Sequence, residues 1–123
     1  MKPDLVKAAR KAKELKEAGA DCPLQILMSL KNVGAASFAD ASARYGINRE
    51  SLLSMFDDSN QDAITMYKNG SYLVIYNQEL PCKTIRHAVA RELGHIVMEH
   101  DGSRPEDVRM EEANYFADQF LNA

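Results

Sequence analysis

The sequence predicts an α+β chain, mostly helical, with a small antiparallel sheet. Two observations carry this. Two runs rich in β-branched and aromatic residues flank Asn69-Gly70, the strongest short-range hairpin signal, and set a hairpin over about 63–76. On either side of it, apolar residues recur at helical spacing between capping and stop residues. An isolated hairpin is marginal in water, so this one must pack on helices, with room for a third strand.

The chain has 123 residues, 46% of them hydrophobic and 27% charged, which fits one soluble globular domain spanning 1–123. The formal net charge of -3 gives no bulk attraction to nucleic acid. No apolar run approaches the roughly 20 residues of a membrane span. The start, Met1-Lys2-Pro3-Asp4, lacks the apolar core of a signal peptide, so the expected location is cytoplasmic. Cys22 and Cys82 are far apart and in no C-x-x-C pair, so they read as reduced structural residues.

Residues 4–18 form the first expected helix, with Leu5, Ala8, Ala12 and Leu15 on its thin apolar face and Gly19 as its stop. Asp21 caps a second, with Pro23 in its first turn and Leu24, Leu27, Met28 and Leu30 turned inward, ending before Gly34. Ser37 and Asp40 open a third that runs through Tyr45 to Gly46. Asn48 caps a fourth, where Leu52, Leu53, Met55 and Phe56 are apolar. The pair over 37–56 has the rhythm of a helix-turn-helix. Its second helix, however, carries Glu50, Asp57 and Asp58 beside Arg49, Asn60 and Gln61, where a DNA-reading helix should face phosphate. A structural pair is the stronger reading, and a DNA-associated module the weaker.

After the hairpin, a helix over about 84–99 buries Ile85, Val89, Leu93, Ile96 and Val97. Residues 101–105 make a turn. A last helix over 106–121 lines up Val108, Glu112, Tyr115, Phe116 and Phe120.

The 84–99 helix holds Arg91-Glu92-Leu93-Gly94-His95, one residue from H-E-x-x-H. Two His one turn apart share a helix face and can grip one zinc. A third ligand must come from elsewhere, for which Glu111 or Glu112 is the obvious source. A water in the fourth position then falls to a pKa of about 7, and the Glu takes its proton. This chain supplies the base, Glu92, one His, His95, and a carboxylate. It lacks the first His.

Together, Leu73-Val-Ile-Tyr-Asn77, Thr84-Ile-Arg-His-Ala-Val-Ala-Arg-Glu-Leu-Gly-His95 and Met110-Glu-Glu-Ala-Asn-Tyr-Phe-Ala117 resemble the ImmA/IrrE family of bacterial zinc metalloendopeptidases over roughly residues 21–121. The resemblance implies a zincin-like fold and a zinc cofactor. It also implies a protein partner, namely a phage-type or stress-response repressor with a helix-turn-helix. It assigns Glu92 as general base, and His95 and Glu112 as zinc ligands. It does not cover Arg91, whose always-charged guanidinium has no lone pair for a metal.

Three expectations follow. The first is a peptidase-fold protein that has lost zinc catalysis and keeps its binding surface, with Arg91 paired to Glu112 and to Glu92 in the metal's place. The second is an active metalloendopeptidase with a non-standard ligand set, Glu92 as base and His95 and Glu112 as ligands, with Glu111, Glu99, His87 and His100 as alternates. Glu92, His95 and Glu99 share a face at i, i+3 and i+7. His87 lies two turns before His95, about 12 Å along the axis, too far to share a zinc with it and best read as an exposed residue. His100 reads as a surface residue at the helix end, reaching the site only if the last turn frays. The third is the DNA-associated or structural module over 37–56.

Overall fold

The structure, a computed structural model, describes residues 1–19, 22–48, 50–54, 62–100 and 103–122. Two compact units make up the chain: residues 24–89 form one, and residues 1–23 with 90–123 the other.

Unit 24–89 is built on a three-stranded sheet. Strands β2 (Ala63–Lys68) and β3 (Ser71–Tyr76) pair antiparallel, with Tyr67 opposite Tyr72. Asn69 and Gly70 between them both take positive φ, 53° and 79°, as a two-residue type I′ turn requires. Strand β1 (Val33–Ser37) joins the other edge of β3, parallel, with Val33 opposite Tyr72 and Ser37 opposite Tyr76. The sheet is therefore mixed, not the small antiparallel sheet the sequence suggested. The segment Val33-Gly-Ala-Ala-Ser37 has little β propensity of its own; its ladder with β3 makes it a strand.

Helix α2 (Pro23–Ser29) buries Ile26 and Leu27 and leaves Met28 exposed, so its inward face differs from the one expected. The Asp21 cap lies outside the described residues. Helix α3 (Phe38–Tyr45) starts where the Ser37 Oγ accepts the Asp40 N–H at 3.1 Å. It ends at Gly46 in the left-handed region. Asn48 Oδ1 then accepts the N–H groups of Glu50 and Ser51, and residues 50–54 are helical (α4). Ala41 of α3 and Leu52 of α4 close a core with Ala36 and Ile75 of the sheet. Arg49 and residues 55–61, including Met55, Phe56, Asp57, Asp58, Asn60 and Gln61, lie outside the described residues. Helix α5 (Cys82–Val97) begins in this unit and passes into the other at Ala90.

The second unit packs α1 (Leu5–Glu17) on α6 (Glu106–Leu121). Asp4 caps α1, its side chain accepting the Lys7 N–H at 3.0 Å. Ala8 and Ala12, both buried, give α1 its narrow apolar stripe. Lys16 at its far end donates to the carbonyls of Gln119 and Asn122, closing the C-terminus of α6. Along α6, Val108, Glu112, Ala113, Phe116, Ala117 and Phe120 are buried. From α5 this unit takes residues 90–97, all buried or half-buried.

At Gly94, α5 lies close against Phe116 of α6. A Cβ there would lie 2.9 Å from Phe116 Cδ1 and 3.2 Å from its Cβ and Cγ, and Phe116 is fully buried. Alanine is the better helix former by about 1 kcal/mol. The overpacking outweighs that gain, at roughly 1–3 kcal/mol. Gly94→Ala is expected to lower the urea midpoint, with a net loss of about 1 kcal/mol. An unchanged or raised midpoint would mean that Phe116 yields freely.

Among the described residues, no helix is long and apolar enough to cross a membrane.

Candidate functional site: a buried carboxylate, two imidazoles and three guanidiniums

Every residue at the centre of this site belongs to the unit formed by residues 1–23 and 90–123. Helix α5 supplies Arg91, Glu92 and His95; α6 supplies Arg109 and Glu112. The turn between them supplies His100 and Arg104.

The way α5 ends positions His100. The N–H of Glu99 bonds the carbonyl of Ile96, and the N–H of His100 bonds that of His95, each at 3.0 Å. This is a Schellman stop, with Glu99 at φ 55° in the place usually taken by glycine. The residue after such a stop turns back onto the last helical turn. His100 does so with a ring instead of an aliphatic side chain. Its Nδ1 lies 2.7 Å from His95 Nδ1, and the rings meet edge to face. The His100 side chain is 2% exposed, so it is not the surface residue expected from the sequence. The same turn removes Glu99 from the His95 face, leaving it exposed in the left-handed region. The suggested Glu92, His95, Glu99 face does not form.

Glu112 is 0% exposed. Its Oε1 lies 2.8 Å from His100 Nε2 and accepts Arg104 Nε–H at 3.1 Å. Its Oε2 accepts Arg104 Nη2–H at 2.7 Å and the Asp4 backbone N–H at 2.6 Å. Four donors thus fill what a carboxylate can accept. Burial alone would raise the Glu112 pKa. The bonds from Asp4, His100 and Arg104, with the Arg104 charge, outweigh it and hold the carboxyl below its ordinary range. The guanidinium facing Glu112 is therefore that of Arg104, not Arg91.

Arg91 turns to its neighbour. Its Nε lies 3.4 Å from Glu92 Oε2, and both side chains are buried. His95 Nε2 lies 3.8 Å from the same oxygen. This half of the expected Arg91 pairing forms.

Burial and the positive charges around them set the state of the imidazoles. Burial first, then His100, Arg91 and Arg109, lower the His95 pKa to about 3 against the pull of Glu112. His100 is lowered chiefly by burial, with Arg104 and Arg109 adding to it and Glu112 opposing. Both rings are neutral near pH 7. Ionised Glu112 can only accept, so His100 carries its proton on Nε2. Its Nδ1 is then an acceptor, and His95 donates Nδ1–H to it. His95 is left with its lone pair on Nε2, on the side of Glu92.

These residues do not fit a zinc ion. Position 91 offers a guanidinium, which has no lone pair. Glu112 has spent its acceptors on donors of this chain. Glu92 Oε2 is paired with Arg91. Among the described residues, no three His, Cys, Asp or Glu side chains come together to hold a metal ion. Glu111 is exposed on α6 beside buried Glu112, and His87 is half-buried, not the exposed residue expected from the sequence.

Sequence reasoning brought His95 and Glu112 to one site, and they do lie there, joined through His100. It missed Arg104, Arg109 and the Asp4 amide. One signal pointed to Arg104: a buried Glu112 needs a cation, and an arginine stands eight residues before it in the adjoining turn. No family model matches the chain, nor does any curated protein or solved structure compared with it.

Proposed function

We propose that the chain is an ImmA/IrrE-like protein of zincin-like, metallopeptidase type in which zinc catalysis is impaired. It acts by binding a protein partner, such as a helix-turn-helix repressor, rather than by cutting it. One observation carries this reading: Glu112, the ligand that the resemblance assigns to zinc, is saturated by four donors of its own chain. Pairing of Arg91 with Glu92 supports it further, since the base assigned by the resemblance is tied to a fixed cation.

The competing reading, an active metalloendopeptidase with another ligand set, draws support from His95 and His100. Their Nδ1 atoms face each other at 2.7 Å, and both lone pairs are free for a metal once His95 carries its proton on Nε2 instead of Nδ1. Casein hydrolysis with added zinc separates the two. The proposal expects no cleavage above background, the same with chelator and in Glu92→Gln. Cleavage abolished by chelator and by Glu92→Gln would favour the peptidase.

A further inference from the structure

Arg91, Arg104 and Arg109 all lie close enough for their charge to reach the imidazole pair. Two of them are met by carboxylates of this chain, Arg91 by Glu92 and Arg104 by Glu112. Among the described residues, Arg109 is not. Its Nε is buried and has no hydrogen-bond partner among them. Arg109 stands three residues before Glu112 on α6, so the two rise from one face of the helix. The residue as a whole is half-buried.

A buried donor left without an acceptor costs about 1–3 kcal/mol, and more when charged. Native structures keep few of these without an occupant. A guanidinium N–H can only donate, so the occupant must present an acceptor lone pair. Its full positive charge favours an ionised acceptor, whose bonds are roughly twice as strong as neutral ones. The carboxylates nearby are already engaged, Glu112 with all of its acceptors.

We propose that Arg109 forms a subsite for an oxyanion, a carboxylate or phosphate-type group, bound at its buried Nε edge. The choice of a peptide carboxylate as its natural occupant rests on the partner-binding reading above; the subsite itself does not. Inorganic phosphate is the other source of the same chemistry.

The test uses the full chain labelled with 15N at arginine, following the guanidinium Nε–H signals. It is titrated with acetate, with inorganic phosphate, and with chloride at matched ionic strength. The Arg109 signal, assigned from side-chain-to-backbone correlations and by its loss in Arg109→Lys, should move to saturation with an oxyanion and not with chloride. It should move further than the signals of Arg91 and Arg104. In Arg109→Lys, which keeps the charge but not the fork, oxyanion protection against thermal unfolding should need roughly tenfold more ligand. Should that variant not fold, the wild-type titration decides by itself.

Tighter saturation by acetate upholds the subsite with a peptide carboxylate as occupant, and tighter saturation by phosphate upholds it with a phosphate-type one. A drift that follows ionic strength and is the same in chloride overturns it. Zinc content measured on the same sample keeps the two proposals apart. Zinc in the wild type would sink the proposed function and leave the Arg109 result standing.

Discussion

Arg104→Ala is expected to destabilise the protein by about 3 kcal/mol, far more than an exposed ion pair allows. The Arg104 side chain is 32% exposed, which by itself suggests a minor surface contact. The burial of its partner decides the magnitude. Glu112 is 0% exposed and stays ionised, so losing the two guanidinium bonds strands a buried negative charge. The bonds from Asp4 and His100 remain and keep the loss near the low end of the usual 3–5 kcal/mol for breaking a buried pair. The double variant Arg104→Met with Glu112→Leu removes both charges but takes the acceptor from the Asp4 N–H and the His100 Nε2–H, so it should recover only part of the loss, ending about 1–2 kcal/mol below wild type. Urea unfolding of the single and double variants checks this. A loss below about 0.5 kcal/mol for Arg104→Ala would place the pair among ordinary surface contacts.

Acid should weaken the fold well before ordinary carboxylates titrate. His95 has an ordinary pKa of 6.5 when unfolded and about 3 when folded. Between those values the unfolded chain holds a proton that the native chain does not, so stability rises with pH and falls as pH drops below 6.5. The slope for one such group is about 1.4 kcal/mol per pH unit. His100 is shifted in the same direction and steepens the fall just below 6.5. Glu112 acts later with the same sign. Its folded pKa is below the ordinary 4.5, so its contribution is complete above 4.5 and is lost as pH falls through the folded value. Urea midpoints measured between pH 7 and 5 isolate the imidazoles. A fall that sets in near pH 6.5 and steepens toward pH 5 is expected, with a smaller slope in His95→Gln. A flat profile would mean that the rings are already solvated.

Features fixed by local chemistry were legible in the sequence. Asn69-Gly70 set the hairpin turn, Ser37 and Gly46 bounded α3, Asn48 capped the helix after it, and the limits of α6 followed from its periodicity. Strand β1 was not legible, because its small residues become a strand only through distant pairing with β3. At the site, the one-turn spacing of positions 91 and 95 and the run before Ala113 drew attention to residues that do lie together. His100 escaped because Glu99 adopts a left-handed conformation that neither glycine nor asparagine announces. Arg104 escaped because a turn residue declares its partner only in three dimensions. Taken with Arg91, it changes what the resemblance means: two guanidiniums, each on its own carboxylate, stand where one was expected.

Zinc content per chain, measured by mass spectrometry after purification and zinc exposure, tests this closure most directly. Wild type, Arg91→His, and Arg91→His combined with Arg104→Gln are compared. Two closed positions predict little zinc in wild type and in Arg91→His, because Glu112 stays saturated. They predict close to one zinc per chain once Arg104 is also removed. Near one zinc per chain in wild type would contradict the closure, since the site would then hold metal with both guanidiniums in place.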